Sequence, residues 1–357
     1  MPEIWLSYGS ADVVLDIRAE NLETNITAGG GSMEGADIDE RLGQLGPIEE
    51  LAVLNDSPAV REVISRIFTA CTARSGPPPR VLAAGGAAGG IGSALPEGAK
   101  AEAFDGLPGG SGRVFLAEMG LDGLFGYETV STRLLRMSGP AGMLAAYSRR
   151  QGNLPAPGQV VPPMDEAKKH VDGLETRCIE VAAGPGGIYG METGHPSKTA
   201  SLSGAFESAA IRESARTKSM IISTGWGAAG GTLSGALGSL WSCMPAVAPG
   251  GLAVLLAESR QGTGSEAVQR HIEGRLGVDS LRNPPEYVSG MEDLLFLTES
   301  RGSFQMCLVS ALPEFYAKAL GMVPINGAGP ALEYILNTQG PRQKVTVVSD
   351  GARVLLR

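Results

Sequence analysis

Hydrophobic and polar positions change their pattern repeatedly along this chain, and one stretch stands apart. From Ser219 to Ala257, 39 residues pass without an Asp, Glu, Lys, Arg or His, in a chain that is 19% charged. The stretch divides into Ser219-Met-Ile-Ile-Ser223, an apolar segment of helical length from Leu233 to Trp241, and the apolar run Leu252-Ala-Val-Leu-Leu256 introduced by Pro249-Gly250-Gly251. Strands buried on both faces need no polar alternation, so the pattern predicts a strand, a loop, a crossover helix and a parallel strand. A membrane span is the rival reading. It needs about 20 predominantly apolar residues in one helix, and glycines with Pro245 and Pro249 cut this stretch into shorter pieces.

Elsewhere, Ile4–Gly9 and Val13–Ile17 are short β-type runs about a turn, which predicts a hairpin. Residues 23–47 lack periodicity and predict a loop, and Pro47–Leu54 a helix. Ser57–Ala73 reads as a second helix, with Val60, Val63, Ile64 and Ile67 on one face and Ser57 as its N-cap. Arg80–Ala84 predicts a strand entering a glycine loop, Val114–Ala117 another strand, and Gly120–Glu128 a loop. Thr129–Ser148 is helical with a break at Gly139-Pro140, 151–163 is a proline-rich linker, Cys178–Ala183 a strand, and Phe206–Thr217 an amphipathic helix. Beyond the uncharged stretch helix and strand character alternate, and the chain closes on a hairpin about Asp350-Gly351. The order implies an α/β protein of two domains with a doubly wound, Rossmann-like sheet in the second. Residues 1–200, joined by the strands of 342–357, form the expected N-terminal domain, and 201–341 the C-terminal one, with the two terminal hairpins near each other.

A net charge of −9 removes any general attraction to nucleic acid or to an anionic membrane. Cys71, Cys178, Cys243 and Cys307 are too scattered for a tetrahedral metal cage, and read as small buried hydrophobes of a reducing compartment. The N-terminus has neither the basic region nor the apolar run of a signal peptide, so a cytoplasmic location is expected. The expected partner is a small-molecule ligand, with no nucleic acid and no membrane; oligomeric state stays open.

Candidate chemistry is sparse. Gly86, Gly90 and Gly92 follow a strand in the G-x-x-x-G-x-G spacing of a short-chain-dehydrogenase-like cofactor loop, where bare backbone admits a pyrophosphate. That reaction needs a tyrosine with a lysine four residues on, and Tyr127, Tyr147, Tyr189 and Tyr316 are followed there by Ser131, Gln151, Thr193 and Leu320. A plain tight turn is the other reading. Of the three histidines, His170 and His271 read as surface positions, whereas His195 and Lys198 sit three residues apart at a helix start and are the catalytic candidates. Arg133 either holds a ligand carboxylate or pairs with Glu128 in water. Glu258, Arg260, Gly262 and Gly264 follow the last strand of the uncharged stretch, at the carboxyl end where α/β sheets bind ligands, and are assigned to substrate binding. No nucleophile elbow, HExxH or P-loop is present.

Three stretches carry a family resemblance. Tyr8-Gly9, Leu15-Asp16-Ile17 and Glu20-Asn21-Leu22, then Val247-Ala-Pro-Gly250-Gly251 through Gly262-Thr-Gly264, and finally Lys344–Val354 around Asp350-Gly351, occur in the order and spacing of one family. The sequence resembles the nickel-pincer-dependent lactate racemases and their relatives, with Arg18 where proline is usual. The resemblance implies two α/β domains closing over a cleft, a lysine carrying a nicotinate-derived pincer through a thioamide, nickel held by the pincer and a histidine, and histidines moving the proton. Most of those residues have no counterpart. The family's basic loop falls at Gly85–Gly92, and its substrate-contacting glutamine and lysine align with Gly235 and Gly238. No metal ligand is assigned and the cofactor is left unknown. The function expected is that of a divergent lactate-racemase-like isomerase acting on a small hydroxy acid or related metabolite between the domains. The alternatives are a non-catalytic binding or assembly protein on the same scaffold, and a nucleotide-binding oxidoreductase through Gly86, Gly90 and Gly92.

Overall fold

The computed structural model describes residues 3–104, 106, 112–150 and 157–357, with backbone alone at 199–201 and 203. The chain opens with β1 (Glu3–Tyr8), β2 (Ala11–Asp16), β3 (Leu22–Ile26) and α1 (Gly35–Gln44). Next come β4 (Glu50–Val53), α2 (Pro58–Ala73), β5 (Arg80–Ala84), α3 (Ala87–Ile91), β6 (Ala101–Phe104) and β7 (Arg113–Glu118). Short strands β8 (Gly120–Asp122) and β9 (Gly126–Glu128) lead to α4 (Val130–Met137), α5 (Pro140–Ser148) and α6 (Pro163–Val171). They are followed by β10 (Arg177–Gly184), β11 (Gly187–Gly194), α7 (Ser203–Ala210) and β12 (Ile211–Arg212). The remaining elements are β13 (Thr217–Ser223), α8 (Leu233–Cys243), β14 (Val247–Leu256), α9 (Glu266–Ile272), α10 (Met291–Ser300), β15 (Gln305–Val309), α11 (Glu314–Ala319), β16 (Val323–Pro324), α12 (Ala328–Gln339), β17 (Val345–Val348) and β18 (Leu355–Leu356).

Two six-stranded sheets organise these elements, in the orders β11-β10-β7-β4-β5-β6 and β16-β15-β14-β13-β17-β3. The second is parallel throughout, and the first is parallel except at β11. The uncharged stretch forms the expected unit: β13 and β14 pair in parallel, Ile221 opposite Val254, with α8 crossing between them. Its strands are buried on both faces, which is why no polar alternation marks them.

Several expectations are corrected. Pro47–Leu54 is not a helix, because Leu51, Ala52 and Val53 fill an interior strand between β7 and β5; so short an apolar run does not distinguish the two from sequence. The helix expected over Phe206–Thr217 ends at Ala210, and Ile211–Arg212 pairs with β18. Gly120–Glu128 is a tight antiparallel pair rather than a loop, closed by Asp122 Oδ1 accepting from the Leu124 and Phe125 amides at 2.8 and 2.7 Å. The expected exchange between domains runs the other way. Strand β17 does not join the N-terminal sheet; Val345, Val347 and Val348 are fully buried between β13 and β3, and β3 itself is the edge strand of the C-terminal sheet. The closing hairpin is absent as well, since β18 pairs in parallel with β12 after a turn at Gly351–Arg353. Of the linker expected over 151–163, residues 151–156 lie outside the described residues and Pro163 begins α6.

The N-terminal hairpin lies on the C-terminal sheet, with Ile4, Leu6, Leu15 and Ile17 packed against Ile221, Val345 and Val347. One apolar core covers the opposite face of that sheet and reaches Ala182 of β10 and Phe206 of α7, tying the two sheets together. No helix of the described residues is long and apolar enough to cross a membrane.

Candidate functional site

Each sheet has a point where chain order reverses, and the two points face one cleft. In the N-terminal sheet the reversal falls between β4 and β7, whose following loops contribute Asn55, Asp56 and Ser57, and Glu118 to Asp122. In the C-terminal sheet it falls between β13 and β17, whose following loops contribute Trp226 to Ala229, and Ala352 with Arg353. Ligands of open α/β sheets bind at such reversals, outside the carboxyl ends of the strands. The cleft holds about 460 Å³, the size of a small-metabolite site.

Local chemistry fixes each wall. Asn55 Oδ1 accepts from the Glu118 amide at 2.9 Å and so joins the two N-terminal loops. Asp56 is gripped by Arg61 through two bonds of 2.7 and 2.6 Å. The floor is α8, capped by Thr232 Oγ1, which accepts from the Gly235 amide, and by the carbonyls of Gly262 and Thr263, which accept from Leu233 and Ser234. Those bonds use the free amides of the helix start. From α8, Ser234, Gly235, Gly238, Ser239 and Trp241 face the cleft.

Arg136 of α4 spans the halves. Its Nη2 donates to Asp122 at 2.7 Å and its Nη1 to Glu292 at 2.6 Å, with the guanidinium 5.1 Å from the Phe125 ring centre. Burial pushes the Arg136 pKa down, but the Asp122 and Glu292 carboxylates outweigh it and hold the group well above its ordinary value. Arg133 donates to Glu128 at 2.8 Å, and Arg353 to the Trp226 carbonyl at 3.0 Å and to Asp350 at 3.4 Å. Each guanidinium of the cleft is thus already engaged by a carboxylate. Asp293 is not engaged by one of them directly: its Oδ2 accepts from Ser234 Oγ at 2.6 Å, and burial, then the neighbouring Glu292 charge, raises its carboxyl to about 7. A carboxyl that titrates near neutrality can accept or donate a proton.

The residues singled out in the sequence are only partly assembled here. Arg133 and Gly264 line the cleft. Gly90 does not line it, although an added Cβ there would meet the carboxylate of Asp56, which does; Gly86 and Gly92 open to empty space, and Gly262 supplies its carbonyl to α8 while its amide donates to the Ser259 carbonyl. Glu258 and Arg260 pair with each other at 2.6 Å, beside Gly9 of the N-terminal hairpin. His195 has both ring nitrogens engaged, Nδ1 with Ser197 Oγ and Nε2 with the Leu174 carbonyl, each at 2.8 Å, and Lys198 is exposed; neither lines the cleft. Sequence reasoning missed Glu118, Asp122, Arg136, Glu292, Asp293 and Arg353. The one local signal was Glu292-Asp293 heading the apolar run Leu294-Leu-Phe-Leu297, since two acids at a helix start usually face solvent.

No family model matches the sequence, and neither does any curated protein. Among solved structures, the lactate racemase apoprotein from Thermoanaerobacterium thermosaccharolyticum matches over the whole of both chains, with a TM-score of 0.74 at 15% identity. The fold is lactate-racemase-like. A protein from Thermotoga maritima matches with a TM-score of 0.61 at 10% identity, over 92% of this chain and 99% of that one. The pincer implied by the sequence resemblance needs a lysine for its thioamide and a histidine for nickel. Neither residue type lines the cleft of this lactate-racemase-like fold, and no group of three or more His, Cys, Asp or Glu among the described residues could hold a metal ion. The donor set does not fit the group, and no step is routed through it.

Proposed function

We propose that this chain is a small-molecule isomerase on a lactate-racemase-like scaffold, taking a small hydroxylated metabolite between its two sheets and moving a proton at carbon. Asp293 carries the reading: a buried carboxyl, held by Ser234 at 2.6 Å and raised to about 7, on a cleft where two sheet reversals meet. In its ionised form it takes a proton from a carbon next to a ligand carbonyl, and in its acid form it returns one. The excess of carboxylates favours a neutral or cationic relative of a hydroxy acid, because a ligand carboxylate entering the cleft meets guanidiniums that are already paired.

Solvent isotope exchange tests it. The full chain, incubated in D2O with hydroxy acids, ketoses and amino sugars, is expected to place deuterium on a ligand carbon, followed by NMR. Asp293→Asn should slow that exchange by roughly 10²-fold or more. If ligands bind but none exchanges, the chain is a binding protein on this scaffold and the isomerase reading fails.

A further inference from the structure

Behind the N-terminal wall of the cleft, a carboxyl and a guanidinium each carry a buried polar atom that nothing in the protein satisfies. Glu180 of β10 is fully buried. Its Oε1 accepts from the Val130 amide at 2.7 Å, at the start of α4, and its Oε2 has no partner among the described residues. Arg133 follows on the next turn of α4, and positions three apart lie on one helix face. Its Nη2 reaches forward, to Glu128 at 2.8 Å and the Glu118 carbonyl at 3.4 Å, and these three residues line the cleft. Its Nε is buried and has no partner among the described residues.

The protonation of Glu180 decides whether this arrangement is tenable. A neutral carboxyl needs little beyond the one amide bond, whereas a buried carboxylate needs a cation. Among the described residues two charges act on Glu180: Arg133, and Glu192, which stands opposite it in register on β11. Cys178 lies two positions back on β10, on the same face. Helix α2 packs on the other face, against Ile179 and Val181; Glu207 of α7 is engaged by the Tyr127 hydroxyl, and Lys198 is exposed. Arg133 is thus the one positive group placed to answer an ionised Glu180. Burial above all holds the proton on Glu180 up to about 8, against the pull of the Val130 amide and Arg133.

We infer that Glu180 is a pH-operated switch on the cleft wall: when it gives its proton to solvent, Arg133 turns its Nε to Glu180 Oε2 and withdraws its Nη2 from Glu128. The free Nε and the free Oε2 then satisfy each other, as a charge-assisted bond. Glu128 is left without its cation, and the cleft becomes more negative as pH rises. The switch regulates the wall of the proposed site, but its test needs no ligand, so its failure and that of the isomerase reading are distinguishable.

The full chain, labelled with 13C,15N-arginine, is followed by 13Cζ-detected NMR from pH 6 to pH 9.5, with the Arg133 signal assigned by its loss in Arg133→Lys. That signal is expected to shift along a single curve centred near 8. In Glu180→Gln it should keep its pH 6 position throughout. A parent signal that does not move, or one that moves equally in Glu180→Gln, overturns the switch. Crystals of the unaltered chain at the two pH values decide the matter without any variant. Arg133 Nε should lie about 3 Å from Glu180 Oε2 at pH 9.5 alone, and a guanidinium still on Glu128 at that pH overturns the inference.

Discussion

Burial without full partnering sets the behaviour of single residues, and Glu180 shows it away from the cleft. Its Oε1 accepts from the Val130 amide at 2.7 Å, its Oε2 has no partner among the described residues, and burial raises the carboxyl to about 8. The folded form therefore keeps a proton that the unfolded chain loses above about 4.5. Stability from this group is complete below that pH and falls as pH rises toward 8. Glu180→Gln copies the protonated form. It should melt with the parent at pH 4 and be more stable at pH 9 by on the order of 3 kcal/mol, read from denaturant curves at both pH values. Equal stability at pH 9 would show that Glu180 ionises in place. None of this was legible in the sequence, where Glu180 is one acid in a strand-like run; its carboxyl is met by the start of α4, far from it in the chain, through the Val130 amide.

Elements were legible where their own residues decide them. Ser57 is the N-cap expected for α2, accepting from the Val60 amide at 3.2 Å, and Pro58 opens the helix, as its fixed φ allows. The break at Gly139-Pro140 divides α4 from α5 for the same local reason. Two glycines of similar appearance in sequence differ once elements pack. Gly238 lies inside α8 with open space around its would-be Cβ, so Gly238→Ala should stabilise by roughly 0.5–1 kcal/mol. At Gly351 a Cβ would come within 2.7 Å of Ile222 Cγ2 and 2.9 Å of the Ser223 carbonyl. Gly351→Ala should cost about 2 kcal/mol or more, because backbone cannot step aside. Thermal melts of the two variants check the pair, and shifts of the same sign would contradict it.

At the scale of the whole molecule, Arg136 links the halves through carboxylates of β8 and α10. Removing it strands two largely buried negative charges, so Arg136→Met should destabilise by about 3–5 kcal/mol. Combining it with Asp122→Asn and Glu292→Gln should restore most of that loss in chemical denaturation. If the triple variant is no more stable than Arg136→Met, the cost lies in packing rather than in charge.

The sequence by itself determined the α/β class, the parallel βαβ unit of the uncharged stretch and several helix ends, because periodicity, caps and prolines act within a few residues of one another. It also carried the resemblance to a fold that the structure bears out at 15% identity. Only the tertiary structure decided which strands share a sheet, and hence that residues 3–26 and β17 belong to the C-terminal half. The cleft is a tertiary fact too. Glu118, Asp122, Arg136, Asp293 and Arg353 are scattered over more than 230 positions, and they meet because loops after the strands of two sheets converge. The uncharged stretch supplies the floor on which they meet. Its own lack of charge leaves the ionic character of the site to residues that no local pattern connects to it.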